Sequence, residues 1–240
     1  MSEWWTYRPQ NLLMFAPDTY WRLFELHNAA AWPLPWVLPL LGAGWLWWWW
    51  RRPLGAALLV GLAGSALALV TVAWSFLWRL YAPINWAAEG FAWLFVGLSV
   101  GLLVMAALTA RGFQPPTAAP LRRGTALALL AFAIGAHPLL AATAGRPWTQ
   151  AEVIALAPDP TVIAVLGLLL ASRSGSGWLQ GSLRALLWCG ALAWCAISSA
   201  TLSTMGSGEG AVPALAGGLA LSVCLFGRRP EAARSPPFRG

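Results

Sequence analysis

Apolar residues along this chain come in long blocks, and each block has the length of a bilayer crossing. A span needs roughly 20 apolar residues to cross about 30 Å of hydrocarbon. Six stretches meet or approach that length: Ala30–Trp50, Leu54–Trp78, Trp86–Ala110, Thr125–Ala144, Leu183–Thr204 and Ala211–Phe226. A seventh, Thr149–Ala171, does so only across an internal break. The pattern predicts an all-α fold: a polytopic transmembrane helix bundle of seven spans, the fifth broken. It divides the chain into an outer segment (1–29), the bundle (30–227) and a disordered tail (228–240).

The polar residues between the blocks orient the bundle. Every basic side chain other than histidine is Arg. Arg51 and Arg52, then Arg111, Arg122 and Arg123, then Arg173 and Arg184, fall on alternate connections, and Arg228, Arg229, Arg234 and Arg239 follow the last block. Arg8, Arg22, Arg79 and Arg146 fall on the other side, with most of the acids. The positive-inside rule then places the N-terminus outside and the C-terminus inside. Trp47 to Trp50, directly before Arg51, point all round a helix at about 100° each, so they read as an aromatic belt. The connection with Pro115, Pro116 and Pro120 is stiff, and that with Ser174, Gly175, Ser176 and Gly177 is flexible.

The outer segment carries its own helix signal. Pro17, Asp18 and Thr19 mark a helix start. Tyr20, Leu23, Phe24 and His27 then fall at i, i+3, i+4 and i+7, on one face, while Arg22 and Glu25 are spaced to pair. The helix is expected to lie on the outer surface as an amphipathic anchor. A second reading makes it a lid, with Arg22, Glu25 and His27 facing a ligand.

The fifth block holds the main chemistry. Thr149-Gln-Ala-Glu152 fits a capping box, predicting a helix to about Ala157. Asp159 and Pro160 then read as the N-cap and first residue of a second helix to Ala171. Its twelve residues rise only about 18 Å, which leaves Asp159 near the bilayer midplane or beyond it. The same rise counted from the inner Arg clusters puts His137, Ser198, Cys195 and Ser99 at similar depth. Pro138 frees the Ile134 carbonyl beside them. Ionisable groups at that depth usually face a protein interior or water, and transporters often build midplane sites from broken helices. Asp159, His137, Thr161, Ser198 and Ser99 are therefore the candidate pocket, with Glu89 at its mouth. As plain structure, Asp159 caps its helix and His137 donates to a carbonyl.

Composition narrows the classes. The chain is 59% hydrophobic and only 10% charged, against about 25% charge in soluble domains. The net charge of +7 is accounted for by topogenic Arg, so no nucleic-acid partner is expected. Cys189, Cys195 and Cys224 show neither disulfide nor zinc spacing, and no metal or cofactor is expected. No cleavage motif follows the first block. Retinal needs a lysine, which the chain lacks. Two histidines at different levels do not make a bis-His haem site. No H-E-x-x-H, G-x-S-x-G or Walker motif occurs. Gly97-x-x-x-Gly101 and Gly61-x-x-Gly64 serve helix packing.

W-W-T-Y-R-P at Trp4–Pro9, T-Y-W-R-L-F-E-x-x-N at Thr19–Asn28 and A-P-D-P-T at Ala157–Thr161 resemble an uncharacterised bacterial family of multi-pass membrane proteins. The similarity runs to about Phe226. It implies a bacterial cytoplasmic-membrane protein and no activity. Function classes are therefore ranked on the site alone. First is binding or passage of a small solute or ion through an outward-facing pocket. Second is an accessory subunit packed against a larger membrane complex, so that a membrane-protein partner favours this class and a homo-oligomer or lone monomer the first. Last is a membrane enzyme on a lipid-type substrate, with Asp159, His137 and Glu89 as acid/base groups.

Overall fold

A computed structural model describes residues 15–51, 55–110, 119–172 and 177–227. The Trp4–Pro9 block, the tail from Arg228, the prolines Pro115 and Pro116, and Arg8, Arg52, Arg111 and Arg173 lie outside the described residues, as do Ser174 to Ser176. The described residues are helical, without strands. Helix α1 is Pro17–Ala30, α2 is Leu34–Arg51, α3 is Gly55–Tyr81 and α4 is Ala88–Ala110. Helix α5 is Pro120–Thr143, α6 is Pro158–Ala171, α7 is Trp178–Thr204 and α8 is Ala211–Phe226. Helices α3, α4, α5, α7 and α8 (with its preceding turn) are long and apolar enough to cross a membrane. The pair α1 and α2, bent by 81°, brings the number to up to six. Large apolar side chains such as Leu40, Trp74, Trp93 and Leu186 are exposed on these helices, as suits a surface solvated by lipid tails.

Helix α6 is the centre of the bundle. Every one of its residues is buried, and α3, α5, α7 and α8 surround it. A helix that is apolar all round belongs in such a place. Close approach depends on Gly167, where an added Cβ would lie 3.0 Å from the Ala126 carbonyl oxygen and 2.9 Å from Leu130. Of the paired glycines in the sequence, Gly61 meets Trp45 and Gly101 meets Leu187, whereas Gly64 and Gly97 have open space beside them.

Two long helices are wound loosely near the α1 end. Helix α3 finishes as a π-helix over Ala73–Tyr81. Helix α5 widens to a π turn at Phe132–Ala136, then tightens to a 3-10 turn at His137–Leu139. Pro138 explains the second case, because it has no N–H and its ring crowds the carbonyl four residues back. The His137 amide instead reaches Phe132. Such π segments commonly lie at functional sites.

The chain departs most from the sequence reading before α6. The expected helix from Thr149 does not form. A 3-10 turn covers Trp148–Gln150, and Ala151 is extended (φ −68°, ψ 140°). Residues 151–157 enter the bundle as a non-helical segment whose Ala151, Glu152, Val153, Leu156 and Ala157 are buried. Tertiary hydrogen bonds override the capping signal here: Asn28 Nδ2 donates to the carbonyls of Thr149 and Ala151, each at 2.9 Å. Irregular backbone at membrane depth is tolerated where protein surrounds it. Asp159 does not cap α6 either. Ala157 is the cap residue, Pro158 leads the helix, and Asp159 lies in its first turn.

Helix α1 packs on protein. Tyr20, Trp21, Leu23, Phe24, His27 and Asn28 are buried, against the π end of α3 and the Trp148–Gln150 turn. Phe24 stacks on Phe76 at 4.5 Å between ring centroids. The face expected to enter lipid is thus used to close the end of the bundle. Of the four consecutive tryptophans, Trp49 is buried and the other three are exposed.

Candidate functional site

Beneath α1, three chain segments bring ionisable groups together. His137 comes from the 3-10 turn of α5, Glu152 from the extended segment, and Asp159 from the first turn of α6. All three are buried, and one ligating atom from each lies within 4.8 Å of the others. His137 Nε2 is 3.7 Å from Glu152 Oε2, too far for a hydrogen bond. His137 Nδ1 and Glu152 Oε1 are buried without any hydrogen-bond partner. Asp159 is held by one face of α7: Trp194 Nε1 donates to Oδ1 at 2.8 Å, and Ser198 Oγ donates to Oδ2 at 2.6 Å. Phe91 and Phe95 pack edge-on against the Trp194 ring.

The segment carrying Glu152 is pinned at its far end by Thr161. Its hydroxyl accepts from the Ala155 amide (2.9 Å) and donates to the Ala157 carbonyl (2.7 Å). Ala155 has φ +66°, a left-handed conformation that costs a non-glycine residue about 1–2 kcal/mol. The turn so held aims Glu152 at His137.

A polar rim closes the site at the α1 end. Arg146 makes a two-pronged ion pair with Glu209 (2.5 and 2.6 Å), donates to the Gln150 carbonyl (3.0 Å) and lies over the Trp21 ring, 3.5 Å from its centroid. Gln150 donates to Glu25, which Arg22 also holds. The Arg22 and Gln150 bonds hold the Glu25 carboxyl below its ordinary value. Below this rim Tyr20 forms the roof. Burial, with Glu152 and Asp159 close by, holds its phenol well above the ordinary value.

Among the residues singled out from the sequence, His137, Asp159 and Ser198 come together, and Thr161 supports them. Ser99 does not join them; its hydroxyl donates to the Ala66 carbonyl between α3 and α4 (2.7 Å). Glu89 is exposed on α4. Arg22 faces outward and pairs with Glu25, while His27 turns inward to Ser75 (3.4 Å) and Phe76. Glu152, Trp194, Arg146, Glu209 and Tyr20 are additions. Trp194 and Ser198 were legible as an i, i+4 pair on one helix face. Glu152 was hidden by the capping signal. Three side chains of the kinds that can ligate a metal ion also converge here.

Five helices, or up to six, long and apolar enough to cross a membrane and a buried polar centre near one end mark the class: a helical bundle with the character of a membrane protein. The chain belongs to a family of unknown function, DUF6064, which matches residues 17–206. No curated protein and no solved structure matches the chain. The matched region contains the Thr19–Asn28 and Ala157–Thr161 blocks, and both meet at this site. The first supplies Tyr20, Trp21, Glu25 and Asn28, and the second supplies Asp159 and Thr161.

Proposed function

We propose that this protein binds a small cation and passes it through a buried site that opens toward the outer face of a bacterial cytoplasmic membrane. In this reading α2 and the segment leading through α6 count as crossings. There are then seven, with the α1 end outside. Asp159, Glu152 and His137 form the floor, and α1 with the Arg146–Glu209 pair forms the cover. The observation that carries the reading is the pairing of two buried carboxylates beneath a rim whose own arginine is already neutralised by Glu209. Two carboxyl groups buried this closely cannot both ionise without a compensating charge, and a cation arriving from outside supplies it.

The substitution Asp159→Asn, in protein that folds and expresses as wild type, tests this. Purified protein is reconstituted in liposomes, and uptake of protons, sodium and manganese(II) is followed with internal indicators. Asp159→Asn is expected to abolish the uptake that wild type supports. Equal uptake by the two proteins for every cation sinks the reading.

A further inference from the structure

Resting on that cation-site reading, we infer that the side chains of His137, Glu152 and Asp159 form a binding site for one divalent first-row transition-metal ion. The donor set names the class. Carboxylate oxygens alone suit magnesium or calcium, whereas an imidazole nitrogen beside carboxylates suits the manganese-to-zinc series. No thiolate is among the three donors, so soft monovalent copper is a poor match.

Spacing agrees with one shared ion. Ligands about 2.1 Å from a zinc ion stand about 3.4 Å apart in a tetrahedron. His137 Nε2 and Glu152 Oε2 are 3.7 Å apart, and the three ligand atoms fall within 4.8 Å of one another. The three residues reach this arrangement from a 3-10 turn, an extended segment and a helix start, so the chain brings them together from independent directions.

Unpartnered buried atoms mark two of the same residues. A buried carboxylate oxygen and a buried ring nitrogen without partners are uncommon in a native fold. Glu152 Oε1 and His137 Nδ1 are such atoms in residues only 4% and 3% exposed. A metal ion accepts the Glu152 carboxylate directly and takes His137 through Nε2, the ring nitrogen that faces Glu152. Asp159 already has the surroundings of a ligating carboxylate. Trp194 and Ser198 each use one lone pair on a different oxygen, and each oxygen keeps another. Hydrogen bonds that orient a ligand in this way are general in metal sites. Charge closes as well: a divalent ion balances the two carboxylates, while Arg146 and Glu209 balance each other.

The test uses the full chain in detergent, with any affinity tag removed. The protein is stripped with chelator and equilibrated separately with zinc, cobalt(II), manganese(II), magnesium and calcium chlorides. After gel filtration its metal content is measured by mass spectrometry. About one equivalent of zinc, cobalt or manganese is expected, with magnesium and calcium not retained. Affinity is expected to fall at least tenfold in both Glu152→Gln and His137→Gln, and to persist in Asp18→Asn, a surface control. Absence of a retained transition ion, equal retention of magnesium or calcium, or unchanged affinity in both site variants overturns the inference. Should those variants not fold, the visible spectrum of the wild-type cobalt form decides. Bands of a nitrogen- and oxygen-ligated ion support the site, and the spectrum of aqueous cobalt or of a thiolate complex overturns it. Proton or sodium uptake that depends on Asp159, without metal retention, defeats this inference and leaves the cation-site reading standing. Metal retention without uptake does the reverse.

Discussion

Asp159 is held by two donors that come from a single helix face. Trp194 and Ser198 lie one turn apart on α7, and each satisfies a different carboxylate oxygen. Removing one donor leaves part of a buried carboxyl group unsatisfied, which costs about 1–3 kcal/mol. Trp194→Phe keeps an aromatic ring against Phe91 and Phe95 and deletes only the N–H. It is expected to lower the thermal midpoint, measured by circular dichroism in detergent, by several degrees. An unchanged midpoint means that the hydrogen bond to Asp159 contributes nothing. At this scale the sequence was readable where depth alone decided the matter. Counting residues from the arginines brought out Asp159, His137 and Ser198. Counting could not separate Ser99, which has similar depth but is turned toward α3. Nor could it find Glu152, whose spacing from Thr149 satisfies a local rule that the tertiary structure sets aside.

The elements that shape the site are those that break regularity. Pro138 was readable as the cause of a distortion in α5. The π segment that ends α3 carries no comparable mark, since Ala73–Tyr81 contains neither proline nor glycine. The start of α1 was readable from Pro17 and Asp18, but what its apolar face covers was not, because lipid and protein reward the same pattern. The docking of α1 has a pH dependence of its own. Burial pushes the His27 imidazole down to about 4, against about 6.5 when free. Above about pH 6.5 both docked and undocked forms are neutral, and docking has its full strength. As pH falls from there toward 4, the undocked form gains a proton that the docked form resists. Docking then weakens by about 1.4 kcal/mol per pH unit, and no further below about 4. Amide hydrogen exchange across Pro17–Ala30, corrected for intrinsic rates, is expected to be faster at pH 5 than at pH 7.5. His27→Gln is expected to remove that difference, and its persistence in the variant points to another group.

Across the whole molecule, charge is sorted along the bundle. All the described acids lie at the α1 end or in the half next to it, and Arg51, Arg122, Arg123 and Arg184 lie at the opposite end. Those arginines also have structural work. Arg184 donates to Leu169 and Ser172 at the end of α6, and Arg122 donates to the Cys224 carbonyl near the end of α8. Both positions favour positive charge, because a helix C-terminus carries partial negative charge. Thus Arg122 and Arg184, which the sequence offered only as orientation signals, serve helix termination. A sidedness experiment tests the orientation. In a cysteine-free background, Thr19→Cys is expected to react with an impermeant maleimide on intact cells, and Trp178→Cys only after permeabilisation. The opposite labelling inverts the proposed topology. Helix α6 has a consequence for how such a chain is made. It has no face left for lipid and, at 14 residues, rises only about 21 Å, so it cannot settle in a bilayer as a finished span when it leaves the ribosome. Its carboxylate finds Trp194 and Ser198 only after another helix has been synthesised. The centre of this protein therefore has to be assembled late, around a segment that waits for neighbours not yet translated.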